Sequence, residues 1–102
     1  MSDESQINIF AALNFIRDNA TAYAKAKAER VYLEQFRKSK KALCMREAEI
    51  NGHKSAAMQE REAYSDPDYM ELLHGLKDAV ETEEKLRWLI VAAEARIEIW
   101  RT

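Results

Sequence analysis

The chain has 102 residues, with two Gly, one Pro, one Cys, 33 % charged and 47 % hydrophobic residues, and a formal net charge of −2. That length is one small domain. So few Gly and Pro cannot punctuate a β-sandwich or a doubly wound α/β fold, and a lone Cys44 excludes an internal disulfide framework or a multi-cysteine zinc site. No apolar run reaches the roughly 20 residues that span a bilayer, and the acidic start Met1–Gln6 does not read as a secretory signal. The expectation is an all-α, cytoplasmic protein with no membrane partner.

In chain order, a short helix is expected at about 6–18, ending where Asp18-Asn19-Ala20-Thr21 offers cap and turn formers. A long helix follows at about 21–63, rich in Ala, Glu, Lys, Arg and Gln. Asn51-Gly52 is a second candidate break, although a long packed helix tolerates one Gly at about 1 kcal/mol. Within this stretch Phe36, Leu43, Ile50, Ala57 and Tyr64 recur every seven residues, a seam that could face the next helix. Asp66-Pro67-Asp68 starts the last helix, at about 67–101: Asp66 as cap, Pro67 where a missing N–H costs nothing, Asp68 on the positive end of the dipole.

That last helix carries a heptad seam, Tyr69, Leu72, Leu76, Ala79, Glu83, Leu86, Ile90, Ala93, Ile97 and Trp100, broken only by Glu83. Trp88, Val91, Ala95 and Ile99 form a second stripe that one antiparallel partner cannot also cover. The expected architecture is one domain, a long antiparallel helical hairpin with a short N-terminal helix, coiled-coil-like and self-associating. The oligomer interface is placed on Trp88, Ile90, Val91, Ile97 and Trp100.

The small net charge hides segregation. Residues 1–24 sum to −2. Residues 25–54 hold nine Lys or Arg against four Glu, a net of +5, and residues 55–102 hold six against eleven acids, a net of −5. The positive residues are Lys25, Lys27, Arg30, Arg37, Lys38, Lys40, Lys41, Arg46 and Lys54, interleaved with Tyr23, Tyr32 and Phe36. Cations along one helix with aromatic neighbours suit single-stranded nucleic acid, which needs charge for phosphates and rings for bases. The competing reading is an interhelical salt-bridge pattern, with Phe36 in the core rather than on a stacking platform.

Catalytic chemistry finds little support. Gly52 and Gly75 are isolated and build no phosphate loop, and neither His53 nor His74 sits in a nucleophile motif with Cys44, which reads as a small buried hydrophobe. Glu71-Leu-Leu-His74 has the spacing used in di-iron bundles. The Glu83-Glu84-Lys85-Leu86-Arg87 stretch resembles that of the short helical-hairpin ferritins of encapsulin cargo, but places Arg87 where a ligating His belongs. The chain reads as a non-enzyme with no cofactor and no metal residues, a small ferritin-like protein ranking last among its readings.

The order of features carries one further likeness. A basic helix leads to Arg61-Glu-Ala-Tyr64-Ser65, followed by a helix containing Leu86-Arg-Trp88-Leu89-Ile90 and closing on Ile97-Glu-Ile-Trp100-Arg101. Over roughly residues 20–101 this resembles the recombination mediators of T-even-like phages (the UvsY type), from which it departs in its shorter length and its Asp66-Pro67 helix start. The resemblance implies an oligomeric phage protein that binds single-stranded DNA, helps displace a single-strand binding protein and loads a RecA-like recombinase. Carried onto this chain, Lys25 to Lys54 would contact DNA, with Arg37, Lys38, Lys40 and Lys41 foremost. The rival expectation is a coiled-coil adaptor or scaffold whose partner is a protein.

Overall fold

The computed structural model describes the backbone of residues 3–102 and the side chains of residues 9–102; the side chains of the acidic start lie outside these. Among the described residues three helices follow in order: α1 (Asp3–Ile50), α2 (Ala56–Ser65) and α3 (Pro67–Arg101). α3 folds back along α1 to make an antiparallel hairpin, with α2 packed on α1 at the turn. The molecule is a rod of 73 × 19 × 16 Å. Its long axis is the length of α1, since 48 residues at about 1.5 Å each give roughly 72 Å.

The break expected at residues 18–21 is absent, and α1 runs through it. Asn19 does not divert the backbone into a turn: its Nδ2 donates to the Phe15 carbonyl at 2.9 Å, inside the helix. The helix expected at 21–63 is instead divided at the second candidate site. Gly52 takes φ = 103°, a conformation costly for any residue with a Cβ. Around it Gly52 N–H donates to the Glu49 carbonyl (3.1 Å) and His53 N–H to that of Ala48 (3.0 Å), a Schellman end. Ser55 then opens α2, its hydroxyl accepting from Met58 N–H at 3.2 Å.

The start of α3 is as the sequence indicates. The Asp66 carboxylate accepts from Asp68 N–H at 2.8 Å and Tyr69 N–H at 3.3 Å, with Pro67 in the first turn. Asp66 N–H donates to the Ala63 carbonyl at 3.2 Å, so one residue closes α2 and opens α3.

The interior is made of small side chains. Ala12, Ala26, Cys44 and Ala48 from α1, Ala63 from α2, and Ala79 and Ala93 from α3 are buried; Ile9 and Tyr69 are the large apolar side chains among them. Small residues let helix axes approach closely. The same choice leaves a thin core: the radius of gyration is 21.6 Å, against about 13 Å for a compact chain of this length.

The heptad series Phe36, Leu43 and Ile50 does not face α3. These side chains are 40, 58 and 76 % exposed. They lie about 120° around α1 from the alanine face. Ala57 and Tyr64 of the same series are exposed on α2. Two apolar stripes compete on this helix, and the narrower one wins the contact because its residues admit the closer approach.

Candidate nucleic-acid interface

The nine cations of residues 25–54 separate into two groups. Arg30, Lys40 and Lys41 are held by acids. Arg30 forks onto Glu83, Nε to Oε2 and Nη2 to Oε1, and also donates to Glu34 at 3.0 Å. The Lys40 ammonium lies 3.8 Å from Asp68, and that of Lys41 2.9 Å from Glu60. Lys25, Lys27, Arg37, Lys38, Arg46 and Lys54 make no ion pair among the described residues. All of these are exposed except Arg37, which is half-buried.

Glu83, the irregularity in the α3 seam, is buried, with its charge met by the Arg30 guanidinium. Hydrogen bonds donated to Glu83, then to Glu34, hold the Arg30 guanidinium protonated, far above its ordinary range. Arg30 is thereby engaged within the hairpin by Glu83 and Glu34. Local sequence reading missed this pair because its members lie 53 residues apart; an acid on a seam position opposite an arginine was the available signal.

At the turn, the Lys41 ammonium donates to Tyr64 Oη (2.8 Å) and Glu60 Oε1, and sits 4.6 Å from the Tyr64 ring centroid. Tyr64 Oη donates in turn to Glu60 at 3.1 Å. The Tyr64 and Glu60 contacts raise the Lys41 pKa, and Lys41, then Tyr64, lower that of Glu60. Beneath this group Cys44, Ala63 and Tyr69 form the one buried cluster of the turn, and burial pushes the Cys44 thiol up.

Of the aromatic residues expected among the cations, Tyr32 and Phe36 are exposed and Tyr23 is half-buried. Tyr32 and Phe36 stack with ring centroids 5.9 Å apart and planes within 8°. Phe36, Leu33, Leu72 and Gly75 line an open groove of about 410 Å³ together with Lys40 and the carboxylates of Glu29, Asp68 and Glu71. The core position expected for Phe36 is thus not the one it takes.

On α3, Met70, Leu73, Val80, Trp88, Val91 and Ile99 are exposed, along a face about 130° from the one packed on α1. Arg87, paired with Glu84, covers one side of the Trp88 ring, its Cζ 4.5 Å from the centroid. Of the residues assigned to the oligomer interface, Trp88, Val91 and Trp100 are on the surface, whereas Ile90 and Ile97 are half-buried on the hairpin side.

Glu71 and His74 are both exposed, and among the described residues no group of three or more His, Cys, Asp or Glu is placed to hold a metal ion. Among the described residues no helix is long and apolar enough to cross a membrane. Comparison with known protein families, curated proteins and solved structures found no match for the chain.

Proposed function

We propose that this chain is a non-enzymatic, cytoplasmic recombination accessory protein. It self-associates, binds single-stranded DNA along α1 and assists loading of a RecA-like recombinase against a single-strand binding protein. The observation that carries the reading is the coincidence of six cations without ion pairs among the described residues and a stacked, exposed Tyr32–Phe36 pair. Lys25, Lys27, Arg37, Lys38 and Arg46 lie within 22 residues of one helix, a span of about 32 Å, and Lys54 follows in the loop after it. Phosphates meet the cations and bases stack on the rings. The exposed face of α3 through Trp88, Val91 and Ile99 supplies contacts between copies, and several basic rods acting together multiply affinity for one continuous strand. The recombinase role rests on the resemblance alone.

Binding of a labelled oligonucleotide at two ionic strengths tests this. Affinity for single strands should drop by orders of magnitude from 50 to 300 mM salt, with a log–log slope of about −0.7 per phosphate neutralised. Replacing Lys25, Arg37, Lys38 and Arg46 together by Ala should abolish binding at unchanged helicity. Full retention would refute the interface.

A second reading, a protein-binding scaffold, is favoured by the Arg30–Glu83, Lys40–Asp68 and Lys41–Glu60 pairs, which are what a pure salt-bridge pattern produces. It requires that no oligonucleotide bind at low salt.

A further inference from the structure

The densest cationic stretch, Arg37 to Lys41, is half covered by acids from beyond the turn. Lys41 meets Glu60 of α2 and Lys40 meets Asp68 in the first turn of α3, whereas Arg37 and Lys38 make no ion pair among the described residues. We propose that Glu60, steadied by Tyr64, is a built-in competitor of phosphate that sets how tightly this stretch holds a strand; the proposal rests on the DNA-binding reading above.

Glu60 occupies the place a phosphate oxygen would take. One of its carboxylate oxygens lies at hydrogen-bond distance from the Lys41 ammonium, and Tyr64 Oη donates to that same oxygen. Phosphate offers the same chemistry, an anionic oxygen accepting from a lysine, so the two exclude one another at Lys41. The barrier to exchange is low. Glu60 and Lys41 are both partly exposed to solvent, where an ion pair contributes little and is screened by salt. The element carrying the acid is also lightly anchored. α2 has 10 residues, too few for a stable isolated helix, with Ala63 as its buried side chain, and it is joined to α1 through the Gly52 turn. Asp68 at Lys40 adds a second, looser contact of the same kind. An entering strand therefore has to displace intramolecular carboxylates before it gains these two lysines, which lowers affinity and favours ligands that can meet the whole basic stretch at once.

The test is oligonucleotide binding by wild type, Glu60→Gln, Glu60→Gln with Lys41→Ala, and Glu81→Gln. Glu81 is exposed and makes no ion pair among the described residues, so its variant controls for net charge. Glu60→Gln should tighten binding roughly two- to fivefold at low salt, the value of one exposed ion pair. It should also steepen the salt slope by about 0.7, one further phosphate. Lys41→Ala should erase both gains, and Glu81→Gln should show neither. Circular dichroism verifies that each variant keeps its helicity; a Glu60→Gln protein that lost helicity would be replaced by Glu60→Ser with Tyr64→Phe, for which the same gains are expected. Wild-type binding with no gain in Glu60→Gln, or an equal gain in Glu81→Gln, or a gain that survives loss of Lys41, overturns the competitor while leaving the DNA interface standing. Absence of binding by both wild type and Glu60→Gln at every salt concentration overturns the two together.

Discussion

The two faces of α1 invert the usual relation between size and burial. Its inner face is Ala12, Ala26, Cys44 and Ala48, all buried; the neighbouring stripe is Tyr32, Phe36, Leu43 and Ile50, all exposed. The larger residues have more apolar area to bury and would contribute more if they did so, at about 25 cal/mol per Å². They are outside because a two-helix rod has only one internal seam, and small residues make that seam close. The lesson is that hydrophobicity nominates faces, while shape decides which nominee meets the intramolecular partner. The face left over is available to other molecules.

This contrast can be broken most sharply at its one large buried aromatic. Tyr69→Ala removes the ring that packs with Cys44 and Ala63 and should cost about 3–5 kcal/mol in denaturant unfolding. Enlarging the inner face comes next: Ala26→Leu or Ala93→Leu should each destabilise by about 1–3 kcal/mol, since the close approach leaves no room. The same added volume at Ala28, which is exposed, should change stability by no more than about 0.5 kcal/mol. Gly52→Ala forces a Cβ into a left-handed conformation and should cost about 1 kcal/mol, whereas Gly75→Ala meets nothing within 4 Å and should stabilise α3 by a similar amount. On the outer stripes, Leu43→Ser and Trp88→Ala should leave the monomer's melting temperature within a degree or two when dilute. The subunit number seen by light scattering should fall with Trp88→Ala.

The smallest effect is one of pH. Hydrogen bonds from Lys41 and Tyr64 depress the Glu60 pKa in the folded chain, so its stabilising contribution is complete above the unfolded carboxylate range and is lost as pH falls through the folded value. Lys41 is raised, so its share is present below the unfolded lysine value, about 10.4, and is lost only as pH climbs past the folded one. The difference in melting temperature between wild type and Glu60→Gln should therefore be level from about pH 5 to 10 and shrink below about pH 4.

Much of the fold was legible because it is written in local chemistry. Asp66-Pro67 announces a helix start through groups within three residues of one another, and Gly52 supplies the positive φ that a Schellman end needs. Asn19 misleads for an equally local reason: a side chain able to support a turn can also donate to the carbonyl four residues back and stay helical. What the sequence left undetermined is non-local. Choosing between the Ala48 and Ile50 faces of α1 requires knowing how near α3 comes, and pairing Arg30 with Glu83 requires the register of the hairpin. The candidate interface inherits this limit. The nine cations and their aromatic neighbours were visible as a list, but which of them are already engaged depends on where α2 and α3 place Glu60, Asp68 and Glu83.

Neighbouring positions 43 and 44 turn these faces into a reporter. Cys44 is the chain's sole cysteine; it is enclosed and its thiol is held protonated by its surroundings, so alkylating reagents reach it slowly at neutral pH. A cysteine substituted for the adjacent Leu43 projects outward and reacts at once. A single labelled position on the outer stripe, with the native thiol silent beside it, would report by cross-linking whether that stripe meets a second copy.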